Sequence, residues 1–213
     1  MRARTSEEKT IDRLLTLYCI NECAERFGVS HLSETKLQKL VFLSEKELID
    51  RRIKAFNYRF IRLLHPTFSP DLRDDLTDFV RFRFLREPWL ERTDKMRMIL
   101  EDFHDVLTEN RHSLQVIDEV LSRYSSLRTE RLINLVYQMP WSRNKTINDL
   151  AMRTPLLYPL KPDKAQETFR ISEDELENLE ICLNPKISAM FDQAVDDMRK
   201  GRLLSHAEVF GKL

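Results

Sequence analysis

Three cysteines, five histidines and several close carboxylate pairs are the side chains here whose types could carry chemistry. Nucleophilic catalysis needs a Ser or Cys in a strained turn, a His in reach and a third group to orient it. No G-x-S-x-G occurs, and neither Cys19 and Cys23, four apart on one helix face, nor Cys182 lies in a catalytic or zinc-binding pattern. His31, His65, His104, His112 and His206 are scattered. His104 and His112 are eight apart, but a helix break near Asn110 is expected between them. Asp74-Asp75 and Asp196-Asp197 are adjacent, and Glu45 and Glu47 are two apart, so on helices they point in different directions. These carboxylates are expected on solvated faces. No cofactor, catalytic metal or disulfide is expected, and the chain reads as a binding protein rather than an enzyme.

The elements that would carry these residues are mostly helices. In 213 residues, 42% are hydrophobic, 33% are charged and only three are Gly. That composition suits long helices with charged outer faces and leaves little for a phosphate-cradling loop. Lys+Arg and Asp+Glu both total 35, a balance that weighs against a mainly phosphate-contacting nucleic-acid binder. The charge is uneven, with arginines crowded over 51–97 and acids over 173–180. The charged start has no apolar signal core and no run is long enough to span a bilayer, so a cytoplasmic protein without a membrane partner is expected.

Helical spacing predicts helices over 6–27, closed by Gly28, and from Ser33 as N-cap with Leu37, Leu40, Val41 and Leu48 inward. Phe56, Tyr58 and Phe60 then alternate with Asn57 and Arg59, predicting a strand over 56–64. Ser69-Pro70-Asp71 starts a helix with Leu72, Leu76 and Phe79 inward. A short hairpin is expected around Glu87-Pro88, then helices over 94–109, 113–124 and 129–139. The proline-spaced stretch 153–163 is expected to be an extended connector, with a domain edge near residue 160. Ser172 and Glu175 form a capping box beyond it, Asn184-Pro185 starts another helix ended by Gly201, and Ser205 with Glu208 forms a second box.

The expected architecture is therefore mostly α. Residues 1–160 form a helical domain with a small antiparallel β element, compatible with a winged helix, and 161–213 form a C-terminal helical tail. In that tail Phe191, Val195 and Met198 make an apolar stripe, followed by Leu203, Leu204, Val209 and Phe210. A two-helix tail must borrow a surface, its own domain's or a partner's groove. Helix, turn at Gly28, helix is also the outline of a helix-turn-helix. That gives a second reading, a winged-helix DNA-binding regulator using Arg81, Arg83 and Arg86. The helix after the turn offers only Thr35, Lys36, Gln38 and Lys39 to base edges, so two packed core helices are the favoured reading.

Lys36-Leu37-Gln38-Lys39-Leu40-Val41-Phe42, the strand at 56–64, Phe68-Ser69 with Leu72 and Leu76, and the later LINLVYQMPW ending at Trp141 resemble the Panacea domain. That domain is found in phage-associated proteins and in antitoxins of the SocA type. The resemblance spans about residues 8–155. It departs at His65-Pro66-Thr67, where the family has Gly-Pro, and at Glu91 to Lys95, where a family Gly is missing. Residues 184–213 are also similar to toxin-binding antitoxin tails. Together the two imply an antitoxin-like module without catalytic residues, which neutralises a cognate toxin through its C-terminal segment. A protease is a further partner in such systems, and a homodimer is compatible with the chain.

Overall fold

A computed structural model describes residues 3–29, 31–64, 67–184, 190, 193, 196–197 and 199–201. The described residues form eight helices and four two-stranded ladders around one hydrophobic core. Mostly α is therefore the fold class.

Helix α1 (Ser6–Glu25) is the axis of the molecule. Thr5 caps it, accepting from the Glu8 N–H at 3.1 Å while the Glu8 carboxylate accepts from the Thr5 N–H at 3.0 Å. That reciprocal pair satisfies two backbone donors left over at a helix start. From Thr10 to Cys23 the helix is buried nearly all round, polar Asp12, Arg13 and Thr16 included. Helix α2 (Glu34–Asp50) starts on Ser33, as the sequence predicts, and buries Leu37, Leu40, Val41, Phe42 and Leu48.

Lys36, Gln38 and Lys39 are also buried, so α2 is a core helix and offers none of them to base edges. Gln38 clamps the turn before the third helix. Its Nε2 donates to the Ser69 carbonyl at 3.1 Å and its Oε1 accepts from the Ser69 N–H at 2.9 Å. Lys39 Nζ donates to the carbonyl of Thr67 at 3.2 Å, and Thr67 is held at φ +62°. Phe42 meets Phe60 edge-on at 5.3 Å. Replacing Gln38 with Ala would strand both polar groups of a buried residue, and an unmade buried hydrogen bond costs about 1–3 kcal/mol. Gln38→Ala is therefore expected to lower the urea midpoint clearly, and an unchanged midpoint would show that the clamp is dispensable.

The expected strand over 56–64 is not formed as such. Strands β1 (Ile53–Lys54) and β2 (Phe60–Ile61) flank a stretch without a ladder, in which Asn57 is as buried as Phe56 and Tyr58. Alternation fails because both sides are covered, and Asn57 is tolerated because its amide donates to Asp12 and to the Ala55 carbonyl. Helix α3 (Pro70–Arg81) starts on Ser69 with Pro70 in its first turn. Strands β3 (Leu85–Arg86) and β4 (Glu91–Arg92) form the expected hairpin around Glu87-Pro88. It pairs with neither β1 nor β2, so the single small β element expected from the sequence becomes four separate ladders.

The helix expected over 94–109 is two, α4 (Asp94–Asp102) and α5 (His104–Glu109), followed by α6 (Arg111–Tyr124). Asn110 makes the second break useful. Its Nδ2 donates to the Arg170 carbonyl at 2.7 Å and its Oδ1 accepts from the Arg170 N–H at 2.6 Å. Helix α7 (Thr129–Tyr137) stops before Pro140, and β5 (Pro140–Ser142) pairs with β6 (Lys145–Thr146).

Packing continues across residue 160. Strand β7 (Pro155–Leu157) pairs antiparallel with β2, and β8 (Glu167–Thr168) pairs parallel with β1. Helix α8 (Glu173–Leu183), with its Ser172/Glu175 capping box, lies against α1 and buries Leu179 and Leu183. The prolines make the connector extended, yet both its ends are tied into ladders.

Candidate functional site

The polar centre of the fold is Asp75, on the stripe of α3 that also carries Leu72, Leu76 and Phe79. Its carboxylate accepts from Arg4 Nη1 at 2.8 Å, Arg13 Nε at 2.9 Å and the Tyr58 hydroxyl at 3.1 Å. Arg4 also donates to Asp12 at 2.9 Å, and Asp12 accepts from the Asn57 N–H at 2.7 Å. Arg13 bonds Asp78 and donates to the Leu183 carbonyl at 3.1 Å, so it joins α1, α3 and α8. The Tyr58 hydroxyl also meets Thr16 Oγ1 at 3.0 Å.

Burial disfavours charge throughout this network. It pushes Asp12 up to about 7, against the opposing pull of Arg4 and of the Asn57 N–H. Burial, with Asp75 and Asp12 adding to it, puts the Tyr58 hydroxyl well above its ordinary value. For Arg4 burial opposes the charge, but Tyr58, Asp75 and Asp12 together hold its pKa above the usual one. Glu45 is the extreme case. Its oxygens make no hydrogen bond of good geometry among the described residues, and burial raises its pKa well above the carboxylate range.

The sequence expectation that Asp74-Asp75 and Glu45 lie on solvated faces is corrected here. Asp74 is exposed, but Asp75 and Glu45 are buried. The missed signal is position: Asp75 lies three residues after Leu72 and four before Phe79, inside the apolar stripe.

Beside the network lies a cleft of about 370 Å³. Arg4, Glu8, Lys54, Asn57 and Arg59 line one side, and the connector from Tyr158 to Pro162 lines the other. Lys54 Nζ donates to Glu8 at 3.2 Å and also bonds Asn57, and Arg59 pairs with Asp71 at 3.1 Å. A larger open groove of about 910 Å³ runs between α1 and α4–α6, with Tyr18, Leu100, Leu107 and Leu114 among its lining and Glu101 and Arg111 beside them.

The remaining side chains named from sequence are dispersed. Cys19 and Cys23 are buried and Cys182 partly so. Burial raises all three thiols, Cys23 to about 12, which keeps them protonated and poor nucleophiles at neutral pH. His112 Nδ1 meets Glu167 at 2.6 Å and His104 lies near Thr108, so the two histidines do not share a site. Among the described residues no group of three His, Cys, Asp or Glu is placed to hold a metal ion, and no helix is long and apolar enough to cross a membrane.

Arg81, Arg83 and Arg86 are exposed at the corner where α3 enters the hairpin, with Arg81 over the Phe82 ring at 5.3 Å. Phe191, Val195, Met198, Leu203, Leu204, Val209 and Phe210 lie outside the described residues, as do the Asn184-Pro185 helix start beyond Asn184 and the Ser205/Glu208 box. No family model, no curated protein and no solved structure matches the chain.

Proposed function

We propose that the chain is an antitoxin-like protein whose C-terminal segment binds a partner toxin and neutralises it by occlusion. The observation that carries this is where the core stops. Leu183 is the last residue that the core takes among the described residues, and Met190, the large apolar residue described beyond it, is 69% exposed. Phe191, Val195, Met198, Leu203, Leu204, Val209 and Phe210 follow it in sequence, and the proposal makes them the anchors on the partner. Each such side chain is worth about 1.5–3 kcal/mol of gross burial, so a few anchors suffice for a tight complex. The family resemblance supports the same reading, and residues that carry it meet in the fold: Gln38 on Ser69 and Phe42 on Phe60.

The test is co-expression of the full chain, and of a chain ending at Asn184, with a small toxin-like protein from a neighbouring gene. The full chain is expected to restore growth and to co-purify with that protein. The shortened chain is expected to melt at the same temperature and do neither. Equal binding by both chains would move the neutralising element to the helical domain, and absence of binding by either would remove the antitoxin reading.

A winged-helix regulator is the second reading, favoured by the three exposed arginines at the hairpin. It would show DNA affinity falling steeply with salt and lost in an Arg81→Ala, Arg83→Ala, Arg86→Ala variant. The burial of Lys36, Gln38 and Lys39 weighs against it.

A further inference from the structure

The cleft between the N-terminal arm and the proline connector has the makings of a small-molecule site, independent of any protein partner. Its lining carries Arg4, Lys54, Arg59 and Lys161 with Glu8; Arg4 is paired with Asp12 and Asp75, Lys54 with Glu8 and Arg59 with Asp71, so Lys161 is the cation without an ion pair among the described residues. The inner polar groups are fixed before any ligand arrives: the Arg4 side chain is 9% exposed, Lys54 8% and Asn57 1%, and each is held by more than one hydrogen bond. Groups held in place beforehand lose little freedom on binding.

The carboxylates behind the cleft, Asp12, Asp75 and Asp71, share these cations and set their positions. Lys161 is exposed at the connector and makes no ion pair among the described residues. The facing wall is of another kind. Tyr158 is aromatic and exposed, and Pro159, Leu160 and Pro162 beside it are apolar, on a segment tied down by β7 on one side and β8 on the other.

Cations converging from several elements suit a tetrahedral anion, and a flat apolar wall suits a planar ring. The cleft's volume lies at the lower end of the roughly 300–1,000 Å³ typical of ligand sites, which favours one nucleotide over two. We propose that this cleft binds a nucleoside monophosphate, with the phosphate on Lys161 beside Lys54 and the base against the Tyr158–Pro162 wall.

Isothermal titration of the full chain with the four ribonucleoside monophosphates, with adenosine and with inorganic phosphate tests it. At least one monophosphate should bind at one per chain, about tenfold or more tighter than adenosine or phosphate alone. Lys161→Glu and Tyr158→Ala alter exposed side chains and should leave the melting temperature unchanged. Each should weaken that binding about tenfold, the scale of one charged hydrogen bond or one stacked ring. If none of the four binds, if phosphate alone binds as tightly, or if both variants bind with unchanged affinity, the proposal is wrong. Retained nucleotide binding in a chain that fails to hold the toxin would separate this site from the antitoxin reading.

Discussion

A chain ended at Leu160 is expected to be unfolded at 25 °C, with no cooperative melting transition. The deletion removes β8 from its ladder with β1 and takes Phe169, Leu179 and Leu183 out of the core. Burial of those three side chains is worth roughly 5–9 kcal/mol at 1.5–3 kcal/mol each, as much as the whole stability of many domains. It also strands Arg13, which loses the Leu183 carbonyl, and Asn110, which loses both bonds to Arg170. A chain ended at Asn184 keeps all of these and is expected to melt cooperatively. Circular dichroism melts of the two chains decide the matter. A folded 1–160 chain would restore the domain edge that the prolines suggest and make α8 an accessory.

Asp75→Ala is the point substitution expected to be most damaging, lowering stability by about 3–5 kcal/mol in urea unfolding. It removes the acceptor shared by Arg4, Arg13 and Tyr58, leaving buried positive charge without its partner. A loss under 1 kcal/mol would mean that Asp12 and Asp78 take over its role. The same network sets a pH dependence of definite sign. The folded-state pKa of Asp12, about 7, lies above the usual carboxylate range, and Glu45 is shifted the same way. The folded chain thus keeps protons that the unfolded chain has released. This contribution to stability is full below about pH 4 and is lost as the pH rises through 7. Asp12→Asn should therefore flatten the decline in urea midpoint between pH 5 and pH 8, and an unchanged slope would show that Asp12 is ionised throughout.

Local signals were legible in the sequence wherever the deciding interaction is local. The caps at Ser33, Ser69 and Ser172 and the hairpin at Glu87-Pro88 each depend on residues within a few positions of one another. What sequence spacing could not show is decided by distant partners. Asp75 resembles a surface carboxylate until Arg4 and Arg13 are placed beside it. Asn57 resembles the outward side of a strand until Asp12 covers it. The connector resembles a linker because its prolines forbid helix, while the strands that hold its ends, β1 and β2, lie about a hundred residues earlier. The cleft was hidden for the same reason, since Lys54 to Arg59 on one side and Tyr158 to Pro162 on the other are about a hundred residues apart.

Arg13 and the carbonyl it holds at Leu183 are 170 positions apart. At about 5–20 residues per second, the ribosome delivers the second some ten to thirty seconds after the first. During that interval the central helix has no final neighbour on the side that α8 covers, and the Arg13 guanidinium lacks the carbonyl that holds it in the finished molecule. Contacts so far apart in sequence also make for slow closure once synthesis is complete. Closure of the core therefore waits on α8, the last element that the core takes among the described residues.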